Sequence, residues 1–425
     1  MELKLNLSRF TEDEVKKLHD FARVRRVNLS ELAETQLREC MQTQEKQFTD
    51  AGEYPCCSLA AHERQTKSQI MSKRWTKSLS VTGLVLALAL HGAIGQAATP
   101  SALESPKETR VVVIANTSAE ADGLMAVLTS ADMRPRSLHN TPQPAEKYAS
   151  VPPHGLRGFY AENGVTVEFW CVWELPGGDR PTDDTLNKVN QLPNAIQPPG
   201  KVAPAMVIAF GTAAGHWETS YNGSVVVGSA VLLHSPSFLK DKDKEVAKAV
   251  TNTLATRGVA LDTIVESASG WHFLSNSNVT GFFDEKRAEM EAKFLKPPLN
   301  PAADPVVLLS PNRIGLSSIN VSRTSDYARA DKETLDVASN AMSKSTKTFD
   351  VGGVETTHAL IRAFSPKDAP FIYVTAIANR LGYFPMELGP RRAAQHVAVI
   401  NNAGVVTAYL VDWIIRNPTL LARSP

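Results

Sequence analysis

From Thr109 onward the chain predicts an α/β domain, a mixed central sheet flanked by helices on both faces. Three observations carry that prediction. Apolar runs rich in β-branched and aromatic residues, RVVVIA at 110–115, AMVIAFG at 205–211 and FIYVTAIA at 371–378, read as strands covered on two sides. Segments of helical periodicity, such as 118–129 and 242–256, alternate with them. A chain of 425 residues, 43% hydrophobic and 21% charged, is also long enough to bury a sizeable core.

Taken in order, RVVVIA is a buried strand and 118–129 the helix after it. GVTVEFWCVWE (164–174) is a second strand, more amphipathic and therefore expected nearer an edge. A Pro- and Gly-rich excursion covers 176–204 and precedes AMVIAFG. SVVVGSAVLL (224–233) reads as one further strand, and the helix at 242–256 follows. Asn300-Pro301 to Asp304-Pro305 reads as a loop within the domain. The last third is polar and helical at first. A helix starting near Glu355, the strand FIYVTAIA and a long closing helix at 391–416 then complete the domain, placed at 104–425.

The region before the domain divides into three. Residues 71–98 place Lys73, Arg74 and Lys77 before an apolar run at 79–94 and Gly95-Gln96-Ala97 after it, the three regions of a signal peptide with cleavage after Ala97. This implies a periplasmic or secreted domain, with anchoring in a membrane by an uncleaved 79–94 as the alternative. A signal peptide opens a protein, yet 70 residues precede this one, so either Met71 is the true start or the segment is a signal anchor. Residues 1–45 alternate as a short strand at MELKLNLS and then carry two helix starts, at Thr11 and Asn28; residues 1–41 resemble a ribbon-helix-helix module, and an ordinary amphipathic hairpin fits equally. Residues 46–70 are a polar linker. Nucleic acid is a partner only if 1–45 belongs to the protein, and a membrane only if the signal segment stays uncleaved.

Composition excludes several classes. The 45 basic and 44 acidic residues leave a formal charge of +1, so no global field draws in nucleic acid or acidic lipid. The vicinal Cys56-Cys57 lacks the second pair that a zinc site requires, and none of the ten histidines has metal spacing, so no metal or cofactor is expected. Neither a Walker loop, nor GxGxxG, nor a Gly-x-Ser-x-Gly elbow is present.

The candidate site lies in turns that follow strands, where open α/β sheets bind ligands. Asn116 to Glu120 puts a carboxylate near a helix start, which also suits the helix dipole. Gly211-Thr212-Ala213-Ala214-Gly215 is a small-residue turn that lets backbone N–H groups approach a ligand. Val354-Glu355 and Ile377-Ala378-Asn379 close the series, and His216 and Phe282 are candidate ligand contacts. His358 reads as a packing residue.

This order of motifs resembles the methylthioadenosine/S-adenosylhomocysteine nucleosidases and related purine nucleoside phosphorylases. The resemblance runs from Thr109 to Trp413 and includes Gly223-Ser224-Val225-Val226-Val227-Gly228 after the glycine turn. It implies cleavage of the N-glycosidic bond of a purine nucleoside or related compound, with a nucleoside-binding protein of the same fold as the alternative. In that reading Glu120 activates water, Gly211, Thr212 and Ala213 line the pocket for water, phosphate or ribose, and Glu355 accepts from the ribose hydroxyls. Asn379 faces the purine where the nucleosidases carry an Asp acid, and an amide cannot act as that acid. Inorganic phosphate is a candidate co-substrate, although no Arg-rich phosphate cradle follows the glycine turn. Assembly as a homo-oligomer is a further expectation from the resemblance.

Overall fold

The computed structural model describes residues 109–148, 154–172, 185–215, 222–238, 241–299, 301–302, 304–319, 327–383 and 392–421, all within the unit Leu103–Pro425. The expectations for 1–98 and for His216 lie outside these residues.

Strand β1 (Thr109–Ala115) leads into helix α1 (Ser118–Thr129) through the N-cap Thr117. β2 (Gln143–Pro144), β3 (Leu156–Glu162) and β4 (Val165–Cys171) follow, then α2 (Thr185–Ile196) and β5 (Met206–Gly215). β6 (Val225–Gly228) and β7 (Ala230–His234) precede α3 (Asp241–Thr256), β8 (Ile264–Glu266), α4 (Ala268–Ser275) and α5 (Ser277–Glu291). The chain continues through β9 (Val307–Leu309), β10 (Arg313–Ser318), α6 (Tyr327–Ser343), β11 (Asp350–Glu355), α7 (His358–Phe364), β12 (Phe371–Arg380) and α8 (Arg392–Arg416).

The described strands form one mixed sheet ordered β2-β3-β4-β1-β5-β11-β10-β7-β8, with β12 pairing both β5 and β6, and β6 pairing β9. Both faces are covered, as the unbroken apolar runs require. On β1, Val111 and Val113 join the core beneath α1 and α8, whereas Val112 and Ile114 join the opposite core with Leu192 of α2 and Leu254 of α3. Helix α8 is long and apolar enough to cross a membrane, but its apolar window is wholly buried inside the fold, against α1, β12 and β5.

Three sequence expectations are corrected. β4 lies nearer an edge than β1 or β5, but it has no solvated face: it pairs β1 in parallel and β3 antiparallel, and all seven of its residues are buried. Its polar alternation has a different cause, since Glu168 is fully buried and accepts from Arg110 Nε at 2.7 Å, Arg110 Nη2 at 2.6 Å, Trp170 Nε1 at 2.8 Å and the Tyr148 hydroxyl. The partner β3 went unforeseen, although Asn163-Gly164, with φ of 53° and 73°, is the two-residue hairpin turn that the dipeptide favours.

SVVVGSAVLL is two strands, because the ladder changes partner at Ser229: β6 lies antiparallel to β12, and β7 lies parallel to β10. This switch closes a ring of pairings, β5 to β11, β10, β7, then through Ser229 to β6, β12 and back to β5. Tyr373 of β12 fills the ring. A side-chain carbon on Gly228 or Gly352 would lie 2.6 Å or 2.2 Å from its hydroxyl oxygen, so only glycine fits beside it. The third correction concerns Glu355, which ends β11 instead of opening a helix; α7 starts at His358.

Candidate functional site

β1, β5 and β12 run parallel, so their carboxyl ends lie on one side. β11 meets β5 antiparallel only at Val354 and Ala214, which brings its own carboxyl end to theirs. The carboxyl ends of these strands therefore converge, and Asn116 Nδ2 reaches across to Thr356 Oγ1 at 3.5 Å.

Glu120 sits in the first turn of α1 and is 5% exposed. It completes a capping box: its Oε2 accepts from Thr117 N at 2.9 Å and Thr117 Oγ1 at 3.1 Å, and its own N–H donates to Thr117 Oγ1 at 3.3 Å. Its Oε1 accepts from Thr212 N and Thr212 Oγ1, both at 2.9 Å. The carboxylate thus clamps the turn after β1 to β5, in which 211–215, expected as a turn, continues the strand, and four donors fill the carboxylate's four lone-pair sites. Burial pushes its carboxyl above the ordinary value, against the pull of the hydrogen bonds from Thr117 and Thr212.

Glu355 is held differently. Its Oε1 accepts from His358 N at 2.9 Å and from the Ser317 hydroxyl, and its Oε2 from Thr357 N. Three donors leave one lone-pair site on Oε2 open to a further hydroxyl. Gly211 of β5 lies between Glu120 and His358: a side-chain carbon there would stand 3.2 Å from Glu120 Oε1 and 3.3 Å from His358 Nε2. His358, read from sequence as a packing residue, is therefore part of this cluster, although its ring also stacks on Tyr373.

Thr212 is spent on Glu120, and Ala213 is buried in β5. Asn379, 3% exposed, pairs with Ala214 just after a bulge in β12, and its Nδ2 donates to Arg380 O at 2.9 Å. Gln395 of α8 supports that bulge, donating to Ala378 O at 2.6 Å. Phe282 is placed elsewhere, in the core beneath α8, with its ring centroid 6.1 Å from that of Trp413. Trp271, in the same aromatic stretch, donates to Asn312 Oδ1 at 3.1 Å.

Among the described residues no group of three or more His, Cys, Asp or Glu could hold a metal ion. A surface groove of about 640 Å³ between α5, α8 and the loop after α1 shares no residue with the converging turns. Its charged groups are engaged locally, Lys293 with Arg134 O at 2.9 Å and Glu289 with the Tyr409 hydroxyl at 2.6 Å.

No family model and no curated protein matches the chain. Among solved structures, it is similar to the Arabidopsis thaliana 5'-methylthioadenosine nucleosidase, at 14% identity over 74% of this chain and 97% of that one, TM-score 0.39. A futalosine hydrolase mutant of Helicobacter pylori is similar at 8% identity, over 71% and 99% of the two chains, TM-score 0.40. The Colwellia psychrerythraea 5'-methylthioadenosine/S-adenosylhomocysteine nucleosidase, solved with adenine, is similar at 12% identity, over 72% and 96%, TM-score 0.39. The solved structures to which this chain is similar are thus nucleosidases and a futalosine hydrolase; at TM-scores below 0.5 that likeness carries no further weight, and function must be argued from the site itself.

Proposed function

We propose that the domain cleaves the N-glycosidic bond of a purine nucleoside or a related compound with water. The observation that carries this reading is a buried series in which the side-chain-free Gly211 lies between Glu120 and His358, and His358 stands 3.8 Å from the second carboxylate, Glu355. The open lone-pair site on Glu355 Oε2 suits a ribose hydroxyl, and holding the sugar there stabilises the positive character that develops at its anomeric carbon. Glu120, through the Thr117 and Thr212 donors that it holds, fixes the wall against which the attacking water is oriented. Hydrolysis is preferred to phosphorolysis because the described residues around Gly211 supply carboxylates and no guanidinium for phosphate.

Base release tests the reading: the full chain is incubated with 5'-methylthioadenosine, S-adenosylhomocysteine and common purine nucleosides, with and without phosphate, beside Glu120→Gln and Glu355→Gln. Release independent of phosphate and lost in both variants is expected; release that needs phosphate would replace hydrolysis by phosphorolysis.

A second reading, a nucleoside-binding protein without turnover, is favoured by one observation. The amide of Asn379 is turned to Arg380 O and offers no acid for the departing base. Saturable binding without release would establish it. Export through 71–98 and self-association belong to the same proposal, and the first is tested by determining the amino terminus of the cellular protein.

A further inference from the structure

His358 is a buried titratable side chain that the reading above leaves without a task. It is 1% exposed, and its ring lies on Tyr373 with centroids 5.4 Å apart and planes 22° from parallel. Its Nδ1 stands 3.8 Å from Glu355 Oε1, beyond hydrogen-bond range, and has no hydrogen-bond partner. A buried polar atom in that state is uncommon and calls for an explanation. Its Nε2 points the other way, toward the place a side chain on residue 211 would occupy, 3.3 Å from it, with Glu120 Oε1 3.2 Å from the same point. Gly211 thus leaves open the space beside an imidazole nitrogen and a carboxylate oxygen that make no direct contact with each other.

We propose that His358 and Glu120 flank the attacking water beside Gly211 as a pair, without touching each other, and that His358 Nε2, and not Glu120, takes the water's proton. This rests on the hydrolytic reading for its chemistry. The argument is one of lone pairs: all four sites on Glu120 already hold donors, whereas a neutral imidazole always keeps one nitrogen free to accept. In the tautomer that carries its proton on Nδ1, on the side of Glu355, that free nitrogen is Nε2, beside Gly211. The titratable groups around the ring are Glu120 from α1, Glu355 from β11 and Tyr373 from β12. β5 contributes Gly211 and Thr212, and β10 contributes Ser317, with Arg313 toward Tyr373.

In the step, the water oxygen bonds to the anomeric carbon and the N-glycosidic bond breaks with its electron pair on the base nitrogen. One water proton passes to His358 Nε2. The imidazolium then returns that proton to the departed base, so the protein ends as it began.

Two measurements on the full chain decide the matter. In the first, side-chain ¹⁵N resonances of His358, assigned by their loss in His358→Gln, are compared between the wild-type protein and Glu120→Gln. A changed tautomer or a shifted Nε2 resonance is expected; identical spectra would overturn the pair without any appeal to turnover. In the second, base release is followed against pH. His358→Gln should lose about 10²-fold or more in rate together with the acid limb of the profile, and His358→Gly should regain part of the rate with added imidazole. Full release by His358→Gln would overturn the proton role while leaving the hydrolytic reading intact. A wild-type protein that releases no base, yet shows the coupled resonance, would overturn the hydrolytic reading and the proton step with it, and uphold the pair.

Discussion

Replacing Glu168 by Gln tests the packing account of the sheet. Glu168 is 0% exposed and Arg110 3%, and the guanidinium is otherwise held by backbone carbonyls, Ile196 at 2.6 Å and Ala195 at 3.0 Å. The pair ties β1 to β4 and to the end of α2, at the amino end of β1 and therefore away from the converging turns. A carboxamide keeps one oxygen as an acceptor and turns an NH₂ group toward Arg110 or Trp170, leaving a buried guanidinium short of its counter-charge. Breaking one side of a buried pair costs about 3–5 kcal/mol, which multiplies the unfolded-to-folded ratio by roughly two to three and a half powers of ten. In urea, with a slope of about 3 kcal/mol/M for a domain of this size, the midpoint should fall by roughly 1 M. The double variant Arg110→Met with Glu168→Leu removes both charges and should recover most of that loss, because apolar replacements of a whole buried pair are often neutral. A Glu168→Gln protein within about 1 kcal/mol of wild type, the range of an exposed pair, would show that solvent reaches the pair and would refute the reasoning.

Two further outcomes follow from the site. Burial raises the Glu120 carboxyl above its unfolded value of 4.5, so the folded state binds that proton more tightly than the unfolded one. Its contribution to stability is therefore fully present below that value and is lost as pH rises through the raised folded value; Glu120→Gln should flatten the stability–pH curve there. Unfolding midpoints for both proteins, measured from about pH 4 to pH 8, check this, and parallel curves would sink it. The Tyr373 hydroxyl is buried without a hydrogen-bond partner inside the strand ring. Tyr373→Phe is expected to be neutral or to stabilise by about 1 kcal/mol in the same unfolding assay, and a clear loss would reveal a partner for the hydroxyl.

Much of the scaffold was legible because burial on both faces leaves a mark in sequence. RVVVIA, MVIAF and FIYVTAIA are continuous apolar runs, and each is a central parallel strand. The helix expected at 118–129 forms over those residues since Thr117 and Glu120 make a local capping box, and the closing helix expected at 391–416 forms over Arg392–Arg416. The Asn163-Gly164 turn was legible too, as a hairpin signal that went unread. GVTVEFWCVWE misled because alternation of polar and apolar residues is the mark of a solvated face, and here Thr166 and Glu168 are buried, with Glu168 paired to Arg110.

By itself, then, the sequence determined the strands at RVVVIA, AMVIAF and FIYVTAIA and the helices at 118–129, 242–256 and 391–416, because those depend on local periodicity and capping. Only the tertiary structure decided that SVVVGSAVLL divides at Ser229 to close a ring, that Glu168 finds Arg110, and that Glu120, Gly211 and His358 meet. Each of these joins residues remote in sequence, and no periodicity within a window records which distant strand a segment will pair with. The task of His358 follows the same logic: one turn of helix makes it look like packing, and only the approach of β1 and β5 sets a carboxylate before it.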